Sequence, residues 1–450
     1  MPVHETILEL IGNTPLVRLR RVTRGIKATV LAKVETLNPG GSVKDRIAMQ
    51  IVADAENAGL LQAGGTIVEA TAGNTGVGLA LVAAIKGYRC IFVMPDKMSE
   101  DKIRLLRAYG ADVVITPSSV AHDSPDSYTS VAKRLAAETP GGFLANQFYN
   151  NSNPDAHYRT TGPEIWEQSD GKVDMFVAGA GTGGTLTGVG RYLKEHNPHC
   201  QIVLADPEGS TLSGDHARPY KVEGIGQDYI PGTLDMSVID RFERVTDKDA
   251  FLMARRVTRE EGIMMGGSSG TAVVAALRAA RELEAGQTCV VLISDTGRNY
   301  MTKVFSDDWM KENGFLEATM PTRVADILGL KHGNLPPMVA VQADQPVHQA
   351  VQVMREHGIS QLPVMKGSEL IGSLIESALM NQVFSDISLT GKPVAHVMSE
   401  PFPMLDRQAP IEGLYQALSA GSQAVIVTDI DVPIAVLTKM DLINFLAGVR

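Results

Sequence analysis

The stretch MFVAGAGTGGTLTG, residues 175–188, joins an apolar run of strand type to a glycine-rich loop and the start of a helix. Similar β-rich runs recur up to about residue 315, among them GTIVEA at 65–70 and CVVLIS at 289–294, and segments of helical period separate them. Strands that alternate with helices predict a parallel sheet covered by helices on both faces. The sequence therefore predicts an α/β fold for this part of the chain.

The glycine-rich loop at 177–188 has two interpretations. A loop that opens a helix presents backbone N–H groups, and Thr182 and Thr185 add hydroxyl donors, so the loop suits a phosphate monoester. It also suits a dinucleotide, because Asp206 ends the next strand, where a ribose-binding carboxylate is expected. The glycines that match the dinucleotide pattern G-x-G-x-x-G are Gly179, Gly181 and Gly184.

A second segment, GGSVKDRIA at 40–48, places a lysine where a helix begins. Ser42 and Asp45 have the spacing of a capping box, which puts Lys44 in the first turn. The helix macrodipole disfavours an ammonium group there, and partial burial would lower the pKa of the amine further. A neutral lysine is a nucleophile toward an aldehyde, so Lys44 is a candidate for covalent catalysis.

A third segment, EATAGNTGVGLAL at 69–81, also leads from a β-run into a helix. Small residues with hydroxyl and amide side chains at a helix start can bind an anion such as a carboxylate. A reactive lysine, a carboxylate-binding turn and a phosphate loop together indicate pyridoxal 5′-phosphate (PLP), an aldehyde that carries a phosphate monoester. An NAD(P)-dependent oxidoreductase is the remote alternative, because it leaves two of the three segments without a role.

The composition of the 450-residue chain argues against several classes of protein. The formal net charge is −10 and no basic tract occurs, so nucleic acid and anionic membranes are disfavoured as partners. Cys90, Cys200 and Cys289 are far apart, and the histidines form no metal-ligand pattern, so we expect neither disulfides nor a metal site. No signal-peptide pattern and no apolar run of ~18 residues occurs, so we expect a soluble cytoplasmic protein.

The tail of the chain contains a weak internal duplication. VAVQADQPVHQAVQVMREHGISQLPVM is echoed by FPMLDRQAPIEGLYQALSAGSQAVIVT, with Pro346 and Pro410 in register. Each copy is too small to bury a core alone, so the two copies are expected to pack as one α+β module. The predicted boundaries are 1–316 for the first domain, 317–337 for a linker and 338–450 for the duplicated module, divided into about 338–392 and 393–450.

Several motifs together resemble the β-family of PLP enzymes, which comprises cysteine synthases, cystathionine β-synthases and serine/threonine dehydratases. They are LxxIGNTPLVRL at 8–19, GGSVKDRIA at 40–48, GNTG at 73–76, GTGGTLTG at 181–188, GGSSG at 266–270 and RNYMTK at 298–303. NPDAHY at 153–158, DPEGS at 206–210 and VEGIG at 222–226 are most similar to the cystathionine β-synthases. The tail resembles a pair of CBS domains, the nucleotide-sensing Bateman module.

The resemblance implies PLP fold type II, with two parallel-sheet subdomains, and a β-replacement reaction. Lys44 would hold PLP as a Schiff base and then remove the Cα proton of the substrate. Elimination would leave an aminoacrylate that a thiol attacks, so that serine and homocysteine give cystathionine, and cysteine as donor releases hydrogen sulfide. The other cofactor residues implied are Asn74 at the phenolic oxygen, Ser268 at the pyridine nitrogen, and Gly181, Thr182, Gly183, Gly184 and Thr185 at the phosphate. The residues implied for the substrate carboxylate are Thr71, Ala72, Thr75 and Gln147.

The sequence departs from the family pattern near the substrate. Ala72 replaces a usual serine, Phe148 stands where cystathionine β-synthases carry tyrosine, and Gln227 replaces another tyrosine. Phe148 is more typical of cysteine synthases, so a cysteine synthase that uses O-acetylserine, with the same tail, is the nearest alternative. The haem-bearing extension of the animal enzymes has no counterpart, so we expect no haem.

The tail carries one nucleotide-binding feature. Thr438 and Asp441 in VLTKMDLINFL match the Thr-x-x-Asp pattern that binds adenosine ribose in CBS domains, and GSLIESALM in the first copy lacks it. The resemblance therefore implies one site for an adenosyl nucleotide, such as S-adenosylmethionine, AMP or ATP. A purely structural or dimerisation role is the alternative for the tail. The family also leads us to expect a homodimer or a tetramer.

Overall fold

The computed structural model describes residues 3–71, 73–96, 100–120, 124–316, 323–330, 338–429 and 432–448. The chain forms two compact units, Met1–Glu317 and Ala318–Arg450. Across the described ranges, no helix is long and apolar enough to cross a membrane.

The first unit consists of strands and helices that alternate along the chain. Its strands are β1 (Leu16–Arg18), β2 (Thr29–Val34), β3 (Thr66–Ala70), β4 (Arg89–Pro95), β5 (Asp112–Thr116), β6 (Gly142–Leu144), β7 (Met175–Gly179), β8 (Gln201–Pro207), β9 (Arg241–Val245) and β10 (Thr288–Ile293). Its helices are α1 (Lys44–Asn57), α2 (Asn74–Lys86), α3 (Glu100–Ala108), α4 (Tyr128–Glu138), α5 (Ser152–Ala156), α6 (Gly162–Gln168), α7 (Gly184–His196), α8 (Asp247–Glu261), α9 (Gly267–Ala279) and α10 (Asp307–Glu312).

The strands of the first unit form two sheets. The larger sheet has the order β1-β2-β10-β7-β8-β9, in which β1 is antiparallel to β2 and the other neighbours are parallel. The smaller sheet has the order β5-β4-β3-β6 and is parallel throughout. Two sheets of mainly parallel strands in the first unit confirm the predicted α/β fold class.

Both sheets are covered by helices on both faces, because successive side chains of a strand point to opposite sides. In β7, Met175 and Val177 pack into a core with α8 and α9, whereas Phe176 and Ala178 pack with α6 and α7. In the smaller sheet, Phe92 packs with α1 and α2, and its neighbours in β4 face α4. The near-continuous apolar runs of the sequence are thus explained by burial on two sides.

A buried cluster of charged side chains ties α1 to the larger sheet. The guanidinium group of Arg46 donates from Nε and Nη2 to the two carboxylate oxygens of Glu35, at 2.7 and 2.9 Å. It donates from Nη1 and Nη2 to the two oxygens of Glu164 in α6, both at 2.7 Å. Lys33 in β2 donates to Glu164 Oε2 at 2.7 Å. Although burial opposes ionisation, these two cations hold the pKa of Glu164 at about 2.

The second unit contains two copies of one arrangement. After α11 (Val324–Leu330), the first copy has β11 (Val341–Gln342), α12 (Val347–His357), β12 (Gln361–Lys366), β13 (Glu369–Ile375) and α13 (Glu376–Ser385), and the second has β14 (Met404–Asp406), α14 (Ile411–Ser419), β15 (Ala424–Asp429), β16 (Val432–Thr438) and α15 (Lys439–Leu446). Pro346 and Pro410 each cap the N-terminus of the first helix of their copy, as their register in the sequence predicts. Each copy has its own apolar core, so the expectation that neither copy could bury a core alone is wrong. A third apolar cluster, in which Phe402 and Ile426 pack with Leu370, joins the two copies.

Helix α11 lies within the stretch that the sequence analysis assigns to a linker. Its buried residues Val324 and Ile327 join the core of the second copy, where they pack with Leu414 and Leu437. The backbone N–H of Val324 also donates to the carbonyl of Ala409 at 3.0 Å. This helix is therefore part of the second unit, and residues 317–322 and 331–337 of the predicted linker lie outside the described residues.

We expect Arg46→Leu to lower the free energy of unfolding by about 3–5 kcal/mol, because it removes the guanidinium group bonded to the buried carboxylates of Glu35 and Glu164 and leaves Glu164 with Lys33 alone. Urea unfolding of the intact chain, followed by tryptophan fluorescence, measures this loss. Both tryptophans, Trp166 and Trp309, lie in the first unit and report on it.

The matched control is Lys27→Ala, which breaks an ion pair with Glu284 whose side chains are 65% and 72% exposed. Because exposed pairs contribute less than about 1 kcal/mol, this variant should unfold close to the unmodified protein. Equal stability of the two variants would contradict the role given to Arg46.

Candidate active site

A cavity of about 910 Å³ opens in the first unit at the carboxyl ends of the parallel strands. Helices α1, α2, α7 and α9 all begin at its wall. Helix N-termini present unpaired N–H groups and a partial positive charge, so the cavity favours an anionic ligand. It is the position at which α/β sheets commonly bind ligands.

The cavity brings together most of the site residues predicted from the sequence. Those that line it are Lys44, Thr71, Asn74, Thr75, Gln147, Gly181, Thr182, Gly183, Thr185 and Ser268. Gly184, the first residue of α7, lies against Asn153 instead, and a Cβ built on it would come 2.0 Å from Asn153 Oδ1. Ala72 lies outside the described residues.

Lys44 is the first residue of α1, as the sequence predicts, but the predicted capping box is wrong. Ser42 Oγ accepts from the backbone N–H of Lys44 at 3.2 Å rather than from that of Asp45. The carboxylate of Asp45 reaches back to the N–H of Gly40 at 2.5 Å. Burial lowers the pKa of Lys44, and the carboxylates of Asp295 and Glu35 oppose that shift. The lysine therefore lies at the start of a helix whose N-cap residue is Val43 and which has no side-chain cap.

The glycine-rich loop before α7 packs too closely for side chains. Gly183 has a left-handed φ of +81°, and a Cβ on it would lie 2.4 Å from Cβ of Leu234. A Cβ on Gly181 would lie 2.4 Å from the carbonyl oxygen of Gly224. Only glycine fits at these positions, which explains the glycine-rich sequence independently of any bound ligand.

The threonine side chains of this loop are held from α5 and the π-helical turn that follows it. Asn153 Nδ2 donates to Thr182 Oγ1 at 2.8 Å and to the carbonyl of Gln147 at 2.9 Å. His157, in the π-helical turn His157–Thr161, lies 3.2 Å from Thr185 Oγ1 through Nε2 and 2.9 Å from Thr161 Oγ1 through Nδ1. Burial holds the pKa of His157 well below its usual value, so the ring is neutral.

A buried carboxylate that the sequence analysis did not single out supports the turn that carries Gln147 at the cavity wall. Glu69 accepts backbone N–H groups from Asn146 at 2.6 Å and Gln147 at 3.4 Å, and Asn146 has a left-handed φ of 52°. Thr75 Oγ1 donates to Gln147 Oε1 at 2.6 Å. Burial raises the pKa of Glu69 to about 7. An acidic residue inside the apolar run TIVEA is the sequence signal that could have identified it.

Ser268 lies in the second position of α9 and is buried at the cavity wall. Its Oγ is 3.1 Å from Oγ of Ser294, which is also 3.1 Å from Oγ of Ser269. The backbone N–H of Ser294 donates to Ser269 Oγ at 2.9 Å. The group presented by Ser268 is thus a neutral hydroxyl held within a cluster of serines.

The dinucleotide interpretation finds no support in the position of Asp206. Its side chain is buried, Oδ2 accepts the backbone N–H of Ser213 at 3.0 Å, and the residue does not line the cavity. A ribose-binding carboxylate would have to reach the ligand. Within the described ranges, no group of three or more His, Cys, Asp or Glu side chains could hold a metal ion.

In the second unit, the two copies differ where α13 and α15 begin. Thr438 caps α15 and forms a capping box with Asp441, with Thr438 Oγ1 2.8 Å from Asp441 Oδ2. At the corresponding position of the first copy, Ile375 precedes α13 and provides no side-chain cap. The Thr-x-x-Asp feature is therefore an ordered polar group in one copy only.

Comparison with known proteins agrees with this arrangement. Residues 7–295 match the family of pyridoxal-phosphate dependent enzymes, and residues 333–384 match the CBS domain. A cystathionine β-synthase of Dictyostelium discoideum is 41% identical over 461 residues, which cover 99% of this chain and 92% of the relative. One of Oryctolagus cuniculus is 42% identical over 466 residues, which cover 98% and 85%.

A solved structure extends the comparison to three dimensions. A hydrogen sulfide-producing enzyme from Fusobacterium nucleatum is 38% identical and superposes with a TM-score of 0.63, over 66% of this chain and 98% of that enzyme. The sequence matches cover nearly the whole chain, whereas this structural match covers two thirds of it. The chain belongs to the cystathionine β-synthase family of pyridoxal-phosphate dependent enzymes and carries a CBS domain.

Proposed function

We propose that this chain condenses L-serine with L-homocysteine to cystathionine by PLP-dependent β-replacement, and releases hydrogen sulfide when cysteine is the donor. The observation that carries the proposal is Lys44 at the start of α1, in one cavity with the residues expected around the cofactor. The names of the cystathionine β-synthase relatives and of the hydrogen sulfide-producing enzyme support it. We assign this reaction to residues 1–316 and regulation to the CBS pair at 338–450.

The residues present fit PLP. The glycine-rich loop and the hydroxyl groups of Thr182 and Thr185 line the cavity at the start of α7, where they would hold the phosphate. Asn74 offers an amide to the phenolic oxygen, and Ser268 offers a hydroxyl to the pyridine nitrogen. When bound, PLP supplies an aldehyde for the substrate amine and a conjugated ring that accepts electrons from Cα.

Lys44 holds the cofactor covalently through Nζ and moves the substrate proton. Both tasks require the neutral amine, and burial favours it by lowering the pKa of Lys44. The positive end of α1 acts in the same direction. The same Nζ, as a neutral amine, would accept the proton from Cα of the substrate.

Ser268 influences the type of reaction because its side chain is a neutral hydroxyl group. A carboxylate at this place would keep the pyridine nitrogen protonated, whereas a neutral hydroxyl does not. The weaker electron sink favours prompt loss of the β-substituent over transamination. The serine cluster around Ser294 holds the hydroxyl in place without adding a charge.

The substrate carboxylate binds at the start of α2. Thr71 contributes a hydroxyl group, and Gln147 closes the site from the neighbouring turn, which Glu69 fixes through two backbone N–H groups. Thr75 donates its single hydroxyl hydrogen to Gln147 Oε1, so Thr75 contributes by holding the glutamine and not by a hydroxyl hydrogen bond to the anion. The Oγ1–Oε1 hydrogen bond of Thr75 to Gln147 orients the glutamine amide so that its NH₂ group remains available for an anion.

A cysteine synthase is the second candidate, and two residues of the cavity wall favour it. Phe148 and Gln227 line the cavity where cystathionine β-synthases commonly place tyrosines. Both replacements remove a phenolic hydroxyl from the region that receives the second substrate. They bear on which thiol is preferred and leave the cofactor residues unchanged.

We expect cystathionine as the dominant product when the purified chain receives L-serine with homocysteine. Mass spectrometry of this reaction, and of a parallel reaction with O-acetylserine and sulfide, compares the two candidates directly. Cysteine from the second mixture at a much higher rate than cystathionine from the first would replace our proposal by the cysteine synthase.

We expect Lys44→Ala to remove the visible absorption of covalently held PLP and to lower turnover by at least about 10³-fold, because one side chain provides both covalent attachment and the base. Absorption spectra and product formation are recorded on the same sample. Lys86→Ala is the control, since Lys86 lies at the end of α2 in an ion pair with Glu56 and does not line the cavity. A coloured and active Lys44→Ala variant would disprove the assignment.

For the second unit we propose one adenosyl-nucleotide site, at the start of α15. Thr438 and Asp441 supply a hydroxyl and a carboxylate, which together can bind the two hydroxyl groups of a ribose. The first copy has Ile375 at the equivalent place and lacks these groups. The proposal is that regulation acts through a single site in the second copy.

Asp441→Asn should weaken the binding of S-adenosylmethionine or ATP to the intact chain by about tenfold, because an amide replaces a charged acceptor for the ribose. Isothermal titration calorimetry measures the dissociation constants. Asp386→Asn is the control, since Asp386 caps a turn in the first copy. If neither nucleotide binds the unmodified protein, the second unit has no such site.

A further inference from the structure

Asp295 is a buried acidic residue at the cavity wall, two positions after β10. Its side chain is 2% exposed. Oδ2 accepts an N–H from Asn74 Nδ2 at 2.9 Å and the hydroxyl of Tyr300 at 2.7 Å. Oδ1 is buried and has no hydrogen-bond partner among the described residues. The carboxylate thus lies in direct contact with a proposed cofactor residue without being one.

The backbone of Asp295 also fixes its place between two other loops of the site. It forms an isolated β-bridge with Ser42, two residues before Lys44. Its carbonyl accepts the N–H of Gly266 at 3.2 Å, two residues before Ser268. The segments that carry Lys44, Asn74 and Ser268 therefore meet at this residue, although they are far apart in the sequence.

The hydrogen bonds that Asp295 accepts determine how the Asn74 amide is oriented. Burial raises the pKa of Tyr300 well above its usual value, so the phenol keeps its proton and donates to Asp295. Burial raises the pKa of Asp295, while the hydrogen bonds from Tyr300 and Asn74 and the charge of Lys44 oppose that shift and favour the acceptor-only carboxylate. Asn74 turns its NH₂ group, and not its carbonyl oxygen, toward Asp295, because Nδ2 donates to Oδ2 at 2.9 Å. One N–H is used in this bond, and because the amide is planar, the direction of the second N–H is fixed.

We infer that Asp295 is a positioning residue that orients the Asn74 amide so that its second N–H is presented to the phenolic oxygen of the cofactor. The inference rests on the cofactor site of the proposed function. Burying a carboxylate costs free energy, and a neutral side chain could also accept hydrogen bonds from one hydroxyl and one amide. A carboxylate differs from a neutral amide because it only accepts hydrogen bonds.

A double-mutant cycle on the intact chain tests the coupling between Asp295 and Asn74. Equilibrium dialysis gives the dissociation constant of PLP, and the visible spectrum reports on the environment of the bound cofactor. Asp295→Ala and Asn74→Ala should each weaken PLP binding about tenfold and alter the spectrum in the same way, as expected for loss of one hydrogen bond to a charged group. The double variant should also be weakened only about tenfold, because Asp295 acts through Asn74.

Two further variants keep the test decisive. Asp295→Ser removes Oδ2, the acceptor that Asn74 and Tyr300 share, but keeps a small polar side chain, and it replaces Asp295→Ala in the cycle if that variant does not fold. Tyr300→Phe is the matched control, and it should stay within about threefold of the unmodified protein because the contact between Asn74 and Oδ2 remains.

The outcomes separate the inference from the proposed function. A double variant weakened about a hundredfold would show independent effects and overturn the inference while the cofactor role of Asn74 remains. An Asp295→Ala variant with unchanged PLP binding and spectrum would also overturn it. If Asn74→Ala itself changes neither binding nor spectrum, the cofactor role proposed for Asn74 fails, and the inference fails with it.

Discussion

The hydrogen bonds of the Arg46 guanidinium are the interactions on which the geometry of the site depends. Arg46 lies in α1, which packs in the core of the smaller sheet, while Glu35 and Glu164 belong to segments packed around the larger sheet. A planar donor that bonds both oxygens of two carboxylates fixes direction as well as distance. Lys44 precedes Arg46 by two residues, so the same bonds fix the start of α1 and the lysine at the cavity wall. The charges are buried, and the cost of removing them from water is offset only because every partner is in place.

Local sequence signals and long-range contacts contribute differently to the cavity that the hydrogen bonds of Arg46 stabilise. The strand-to-loop-to-helix signals are local, which is why the sequence identified the segments around Lys44, Asn74 and the glycine-rich loop. Parallel topology then brings the carboxyl ends of the strands to one edge, and the loops meet there. The sequence analysis explains the glycines of the loop by the binding of a phosphate, and the structure adds a second explanation. Gly181 and Gly183 pack against backbone and against Leu234, so loop packing alone already excludes side chains.

The residues that sequence reasoning missed are those whose partners are distant in the chain. Glu69 contacts a turn 77 and 78 positions away, and Asp295 contacts Asn74 across 221 positions. No periodicity or spacing reveals such pairs in one sequence, although an acidic residue inside or just after a buried apolar run is a signal in retrospect. The capping box failed for a related reason. Spacing allowed Ser42 and Asp45 to cap each other, but Gly40 offered Asp45 an N–H, and the loop conformation decided between them.

The second unit shows how a duplicated fold can keep its framework while its polar groups diverge. Pro346 and Pro410 occupy the same place in the two copies because the proline ring presets the backbone before a helix and needs no N–H there. The start of the last helix is under no such constraint. Ile375 leaves its helix without a side-chain cap, whereas Thr438 and Asp441 satisfy each other and the helix N-terminus. A pair that caps a helix is also a pair of donors and acceptors at a positive helix end, so one copy has a polar pair at a position where the other copy has an apolar residue.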